Sequence, residues 1–255
     1  MKLKSFLKRI FGGEVIERIR SPINGEILVV KELSGKIVMR VGGIAQSGGI
    51  VEKLWREVID GSCHVFFPSR RPRLSVTINQ VSRTETAGAR CPPIRRTNAC
   101  HPSSVLILGL GAGTVAKILV EKWPGIKITG VEIDPEVIKI GKKHFALDKT
   151  PNLKIMVGDG IKAVSHQLSV ISHQKYDLIL VDMYHGQEFP KEAESEEFLD
   201  GLKKILGKNG LIIFNRLNFG KHKKDTEEFL EKLKKFFPKV SLQKTEFNLF
   251  IKIKP

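Results

Sequence analysis

The stretch VLILGLGAGT, residues 105–114, decides the fold. An apolar run too short for a helix stops at glycine, and TVAKILVEKW (114–123) then opens with helical spacing. That is a buried strand turning tightly into a helix. The same unit recurs downstream. IKITGVEID (126–134) precedes PEVIKIGKKHFA (135–146), LKIMVGD (153–159) precedes a helix from Ile161, and YDLILVD (176–182) precedes a helix near 194–206. Strands alternating with helices build an α/β fold, a doubly wound, mostly parallel sheet, here of seven strands. A strand at 210–215, a helix at 224–237 and two strands near 240–245 and 247–253 complete it. The last pair, separated by about one turn, reads as an antiparallel hairpin at the sheet edge.

Upstream, residues 24–42 read as a β-hairpin, with Ile27 and Val29 in one arm, Ile37, Met39 and Val41 in the other, and Ser34-Gly35 in the turn. VEKLWREVID (51–60) follows as a helix. Residues 2–11, KLKSFLKRIF, form a short basic amphipathic pattern. A helix of this length is expected to pack on its own domain or on a partner subunit in preference to a membrane surface. Residues 61–101 stand apart: they hold seven arginines and no lysine, against six arginines and 30 lysines elsewhere, and Glu85 is their one acid. They also hold all three cysteines, Cys63, Cys91 and Cys100. Lacking a regular period, the segment reads as an insertion that projects from the domain: a basic loop, a foreign segment or an out-of-frame stretch. The expected organisation is therefore 1–60, the N-terminal helix, hairpin module and linking helix; 61–101, the insertion; and 102–255, a nucleoside-binding transferase domain.

The 255 residues are 41% hydrophobic, enough for a full-sized core, which excludes disorder throughout. No apolar run approaches the ~20 residues of a membrane span, and no secretory leader is legible. Three cysteines without a C-x-x-C pair fit a reducing cytoplasm. The net charge of +16 raises nucleic acid as a partner. Lysines scattered over every predicted helix, not gathered in a stripe, argue against it.

The candidate chemistry lies at successive strand ends. Gly109 and Gly111 open the main chain to a ligand, and the following helix N-terminus favours an anionic group. Thr114 stands where a dinucleotide fingerprint wants Gly or Ala, which weakens a nicotinamide reading. Glu132 ends the second strand, where an acid can accept hydrogen bonds from both ribose hydroxyls of a nucleoside. Asp159, followed by Gly160, ends the third, where a carboxylate can accept from an adenine amine. The competing readings are that Glu132 or Asp134 caps the helix at Pro135, and that Asp159 caps the next. Asp182 ends the fourth strand and can orient or deprotonate an attacking amine, or simply start a turn. Tyr184 and His185 follow on the same loop, the histidine as a base or as an inert loop residue.

The order of hairpin, Gln46-Ser47, a helix with Glu52 and Glu57, VLILGLGAGT, VEIDPEVI, GDG and YDLILVD resembles the spermidine synthase family, a branch of the class I S-adenosylmethionine-dependent methyltransferase fold. The likeness covers nearly the whole chain except 61–101. It implies a site for S-adenosylmethionine, its decarboxylated form or methylthioadenosine, contacted by Gln46, Gly109, Gly111, Glu132, Asp159 and Gly160, with Asp182 in the place of the catalytic aspartate. No metal enters this chemistry. In the family's aminopropyltransferases, acids stand where this chain has Ala112 and His185, and a tyrosine where it has Trp55, all on the polyamine side. A dicationic diamine needs carboxylates, so the nucleoside half reads as kept and the amine half as rebuilt. The expected activity is transfer from either donor to a small-molecule nucleophile, with little spermidine formed from putrescine. A genuine aminopropyltransferase and a non-catalytic nucleoside-binding or basic interaction module are the alternatives. A homodimer is among the expected assemblies.

Overall fold

The computed structural model describes residues 13–62, 101–165, 171 and 174–254. The expected helix at 2–11 and nearly all of the 61–101 insertion lie outside the described residues.

Four strands, β1 (Gly13–Ser21), β2 (Gly25–Glu32), β3 (Ile37–Val41) and β4 (Ile44–Gly48), form an antiparallel meander in chain order. The expected hairpin is its middle pair, with Val29 opposite Met39. Helix α1 (Gly49–Asp60) leads out of this sheet. The second unit then runs β5 (Ser104–Leu108), α2 (Thr114–Lys122), β6 (Lys127–Glu132), α3 (Pro135–Phe145), β7 (Leu153–Val157), α4 (Gly160–Ser165), β8 (Tyr176–Val181), α5 (Glu196–Ile205), β9 (Leu206–Leu217), α6 (His222–Phe236), β10 (Lys239–Lys244) and β11 (Asn248–Lys254). Its seven strands lie in the order β10-β11-β9-β8-β5-β6-β7. β5 to β9 are mutually parallel, whereas β11 runs antiparallel to both β9 and β10. The closing hairpin thus forms the sheet edge, as its sequence spacing predicts.

Strand β5 explains why the sheet is covered on both faces: all five of its residues are buried. Leu106 and Leu108 face a core shared with Val181, Phe198, Phe214 and Phe229. Val105 and Ile107 face the opposite core, shared with Trp55, Ile118, Leu180 and Phe250. Chain order reverses between β5 and β8. Adjacent loops there leave in opposite directions and open a crevice at the carboxyl ends of the strands, where open α/β sheets bind ligands.

The N-terminal sheet closes over that crevice. Ile27, Val29, Met39 and Val41 pack against Ala112, Val137 and Ile140. Polar ties fix the register of the two units. Ala112 N–H donates to Ser47 Oγ (3.1 Å), and Gly48 N–H donates to Thr114 Oγ1 (2.9 Å). Fully buried Asp134 caps α3 by accepting from Glu136 N–H (2.9 Å), and it also accepts from Asn24 Nδ2 (2.7 Å) and Ser21 Oγ. No helix among the described residues is long and apolar enough to cross a membrane.

Candidate active site

At the switch point lies a cavity of about 640 Å³, walled by the ends of β5 to β8 and by the N-terminal sheet. Its floor depends on glycine. Gly109 has φ +88°, and a Cβ there would sit 2.1 Å from the carbonyl oxygen of Asp182. Only glycine lets the ends of β5 and β8 approach this closely, so Gly109 sets where Asp182 stands. Gly111, also left-handed at φ +58°, turns its N–H to Glu132 Oε2 (2.8 Å).

Glu132 lines the cavity although it is only 7% exposed. Its Oε1 accepts from Asp134 N–H (3.0 Å). Burial pushes its pKa up, the N–H bonds from Asp134 and Gly111 pull it down, and the Asp134 charge adds to the rise. The helix cap at Pro135 is therefore Asp134, which leaves Glu132 braced against the glycine loop. Asp159 caps the next helix and also lines the cavity. Its Oδ1 caps α4 through Ile161 N–H (2.8 Å) and Lys162 N–H (3.3 Å), and the residue lines the cavity together with Gly160.

Asp182 lines the same cavity from the end of β8. Burial pushes its pKa up to about 6, against the pull of a hydrogen bond from Asn215 Nδ2 (2.8 Å) and of the nearby Trp55 indole. Tyr184 is a strut: its hydroxyl donates to the Asn215 carbonyl (3.0 Å) and accepts from Leu217 N–H (2.9 Å). Burial and the Asp182 charge raise its pKa and keep it protonated. His185 is exposed at the cavity edge, its main chain paired with Glu188 (2.9 and 3.0 Å). Gln46 also lines the cavity, and its Nε2 donates to the Gly186 carbonyl (2.9 Å), tying β4 to the loop after β8.

Two residues expected on the substrate side stand back from the lining. Ala112 is wholly buried under the N-terminal sheet. Trp55 is 1% exposed and packs edge-on against Phe250 at 5.1 Å. Its Nε1 has no partner of hydrogen-bonding geometry among the described residues, although it lies near enough to Asp182 to lower that carboxyl's pKa. Sequence reasoning missed Asn215, whose signal is a polar residue ending the apolar run LIIF (211–214). It also missed Asn24, Glu192 and Glu197, which line the cavity. Among the described residues, no cluster of His, Cys, Asp and Glu is arranged to hold a metal ion.

A family model described as the spermine/spermidine synthase domain matches residues 93–247. The polyamine aminopropyltransferase of Vibrio vulnificus (strain CMCP6) is 33% identical over 120 residues, 47% of this chain and 40% of that protein. The eEF1A lysine and N-terminal methyltransferase of Xenopus laevis is 29% identical over 153 residues, 56% of this chain and 21% of that protein. The chain thus spans less than half the length of either curated relative. A solved spermidine synthase in complex with the transition-state analogue AdoDATO is similar at a TM-score of 0.63 and 19% identity, over 94% of this chain and 73% of that one. That likeness is one of fold.

Proposed function

Because the chain belongs to the spermine/spermidine synthase domain family, we propose that it is a transferase whose cavity binds S-adenosylmethionine or its decarboxylated form and whose Asp182 takes the proton of the incoming nucleophile. The observation that carries this reading is Glu132, a buried carboxylate aimed into the cavity beside a glycine loop at the switch point. Each of its oxygens accepts one main-chain N–H, and a carboxylate oxygen has a second lone pair for a ribose hydroxyl. Asp159 has Oδ2 without a partner among the described residues, suited to an adenine amine. Such a donor supplies a carbon activated by positively charged sulfur, and transfer leaves a neutral thioether. The protein's part is alignment, which supplies most of the rate in such displacements, and proton acceptance at Asp182.

The acceptor side separates two readings. Ala112 and His185 leave out two carboxylates that the resemblance associates with a diamine, which favours another small-molecule nucleophile. Glu192 and Glu197 at the cavity favour the second reading, aminopropyl transfer to putrescine. Each charge-assisted hydrogen bond missing to an ammonium forfeits about 1.5–3 kcal/mol. Little or no spermidine is therefore expected from putrescine and decarboxylated donor by mass spectrometry, and efficient turnover would put the second reading first.

The donor assignment is tested by calorimetry. Glu132→Ala should weaken S-adenosylmethionine binding by on the order of 2–3 kcal/mol, the loss of a charge-assisted pair of hydrogen bonds. Equal affinity in both proteins would refute it.

A further inference from the structure

Asp182 is held from two strands away. Asn215 in β9 donates from Nδ2 to Asp182 Oδ1 at 2.8 Å, and its own Oδ1 accepts from Asn248 Nδ2 in β11 at 2.8 Å. Both asparagines are buried, at 8% exposure. The Asn215 carbonyl oxygen is held separately by the Tyr184 hydroxyl (3.0 Å), so the main chain carrying the amide is fixed as well. An amide NH2 group donates and does not accept. While it faces Asp182 Oδ1, that oxygen remains an acceptor. Turning the Asn215 amide over would set its oxygen against the carboxylate and its NH2 against that of Asn248, exchanging two hydrogen bonds for two repulsions. Among the described residues the carboxyl has no second partner of hydrogen-bonding geometry, although the Trp55 indole nitrogen lies close to it.

We propose that Asn215, braced by Asn248, is the positioning residue for Asp182: it holds Oδ1 as a hydrogen-bond acceptor and leaves Oδ2 as the one oxygen that receives the nucleophile's proton. The proposal rests on the reading of Asp182 as proton acceptor given above. In the transfer step, the nucleophile's lone pair forms the new bond to carbon, the carbon–sulfur pair returns to sulfur, and the freed proton moves to Oδ2. The relay runs from Asn248 on the antiparallel strand β11 through Asn215 on the parallel strand β9 to Asp182.

The other titratable groups around Asp182 are few. Tyr184 on its own loop is neutral. Arg216, next along β9, is paired with Glu194 (2.8 Å) and stacked on Phe189. Glu132, Asp159, Lys162, His185, Glu192 and Glu197 share the cavity lining.

Carboxyl-carbon NMR of the full chain with labelled aspartate reads the pKa of Asp182 directly, its resonance assigned by its loss in Asp182→Asn. Asn215→Leu, which keeps the branched shape and removes the donor, should raise that pKa by about one unit, a tenfold shift. The acid limb of the transfer pH profile should move with it, and the calorimetric affinity for S-adenosylmethionine should stay unchanged. Asn248→Ala, which frees the Asn215 amide, should move the pKa the same way by less, and it carries the test if Asn215→Leu does not fold. An Asp182 pKa unmoved in the folded variants, with Asp182→Asn inactive, overturns the positioning role alone. Full activity in Asp182→Asn overturns the proton-acceptor reading itself.

Discussion

The Asp182 carboxyl meets two opposed demands. As a base it must be ionised, and as a cavity residue its burial opposes ionisation, holding its pKa at about 6. Transfer should therefore fall as pH drops through about 6, because the protonated acid is far too weak a base to take a second proton. Stability runs the other way. The folded pKa lies above the unfolded value, so the folded state binds the proton more tightly. The contribution is fully present below the unfolded pKa near ~3.9 and is lost as pH rises through about 6. Asp182→Asn, which cannot ionise, should thus be more stable than the parent at pH 8, on the order of 1–3 kcal/mol in urea unfolding, while transfer is abolished. A variant no more stable than the parent would show that the ionised carboxylate is fully compensated by its surroundings.

Among the elements, the tightest constraint is the crossing of the β5 and β8 ends at Gly109. Main chain meets main chain there, so an added methyl cannot be relieved by a rotamer change. Gly109→Ala should cost roughly 3 kcal/mol or more and displace Asp182, read as a lowered thermal midpoint together with lost transfer. An unchanged midpoint would mean that the two loops part easily. The strands that meet at this point were legible in the sequence because both faces of each are covered, and VLILG and the LILV within YDLILVD read as unbroken apolar segments. β1 and β4 were not. β1 (GEVIERIRS) mixes charged and apolar residues along a sheet edge and breaks its two-residue period at a register shift between Val15 and Glu17, and β4 (IAQSG) carries the composition of a turn. Glu132 and Asp182 were legible with their strands, each an acid at a strand end. Asn215 and Trp55 were not placed, because their neighbours come from distant parts of the chain and pairing across a sheet leaves no local period. Asp159 shows that capping and cavity lining are compatible when a carboxylate has two oxygens.

Taken whole, the molecule carries +16 yet lines its cavity with Glu132, Asp159, Asp182, Glu192 and Glu197 against Lys162. A low-dielectric crevice focuses the field of the groups that line it, so a cationic ligand meets local attraction inside a basic protein. The N-terminal sheet completes the crevice, and three of its polar ties beside the cavity end on main-chain atoms: Gln46 on the Gly186 carbonyl, Ser47 on the Ala112 amide, and, from the opposite side, Gln187 on the Gly42 carbonyl (3.1 Å). Bonds to main chain are indifferent to the side chains displayed beside them. Apart from Gln187, whose own side chain is one of these ties, the loop after β8 can therefore exchange its residues without loosening the sheet above it, so on the proposed reading the surface offered to an acceptor can be rewritten between anchors that stay fixed.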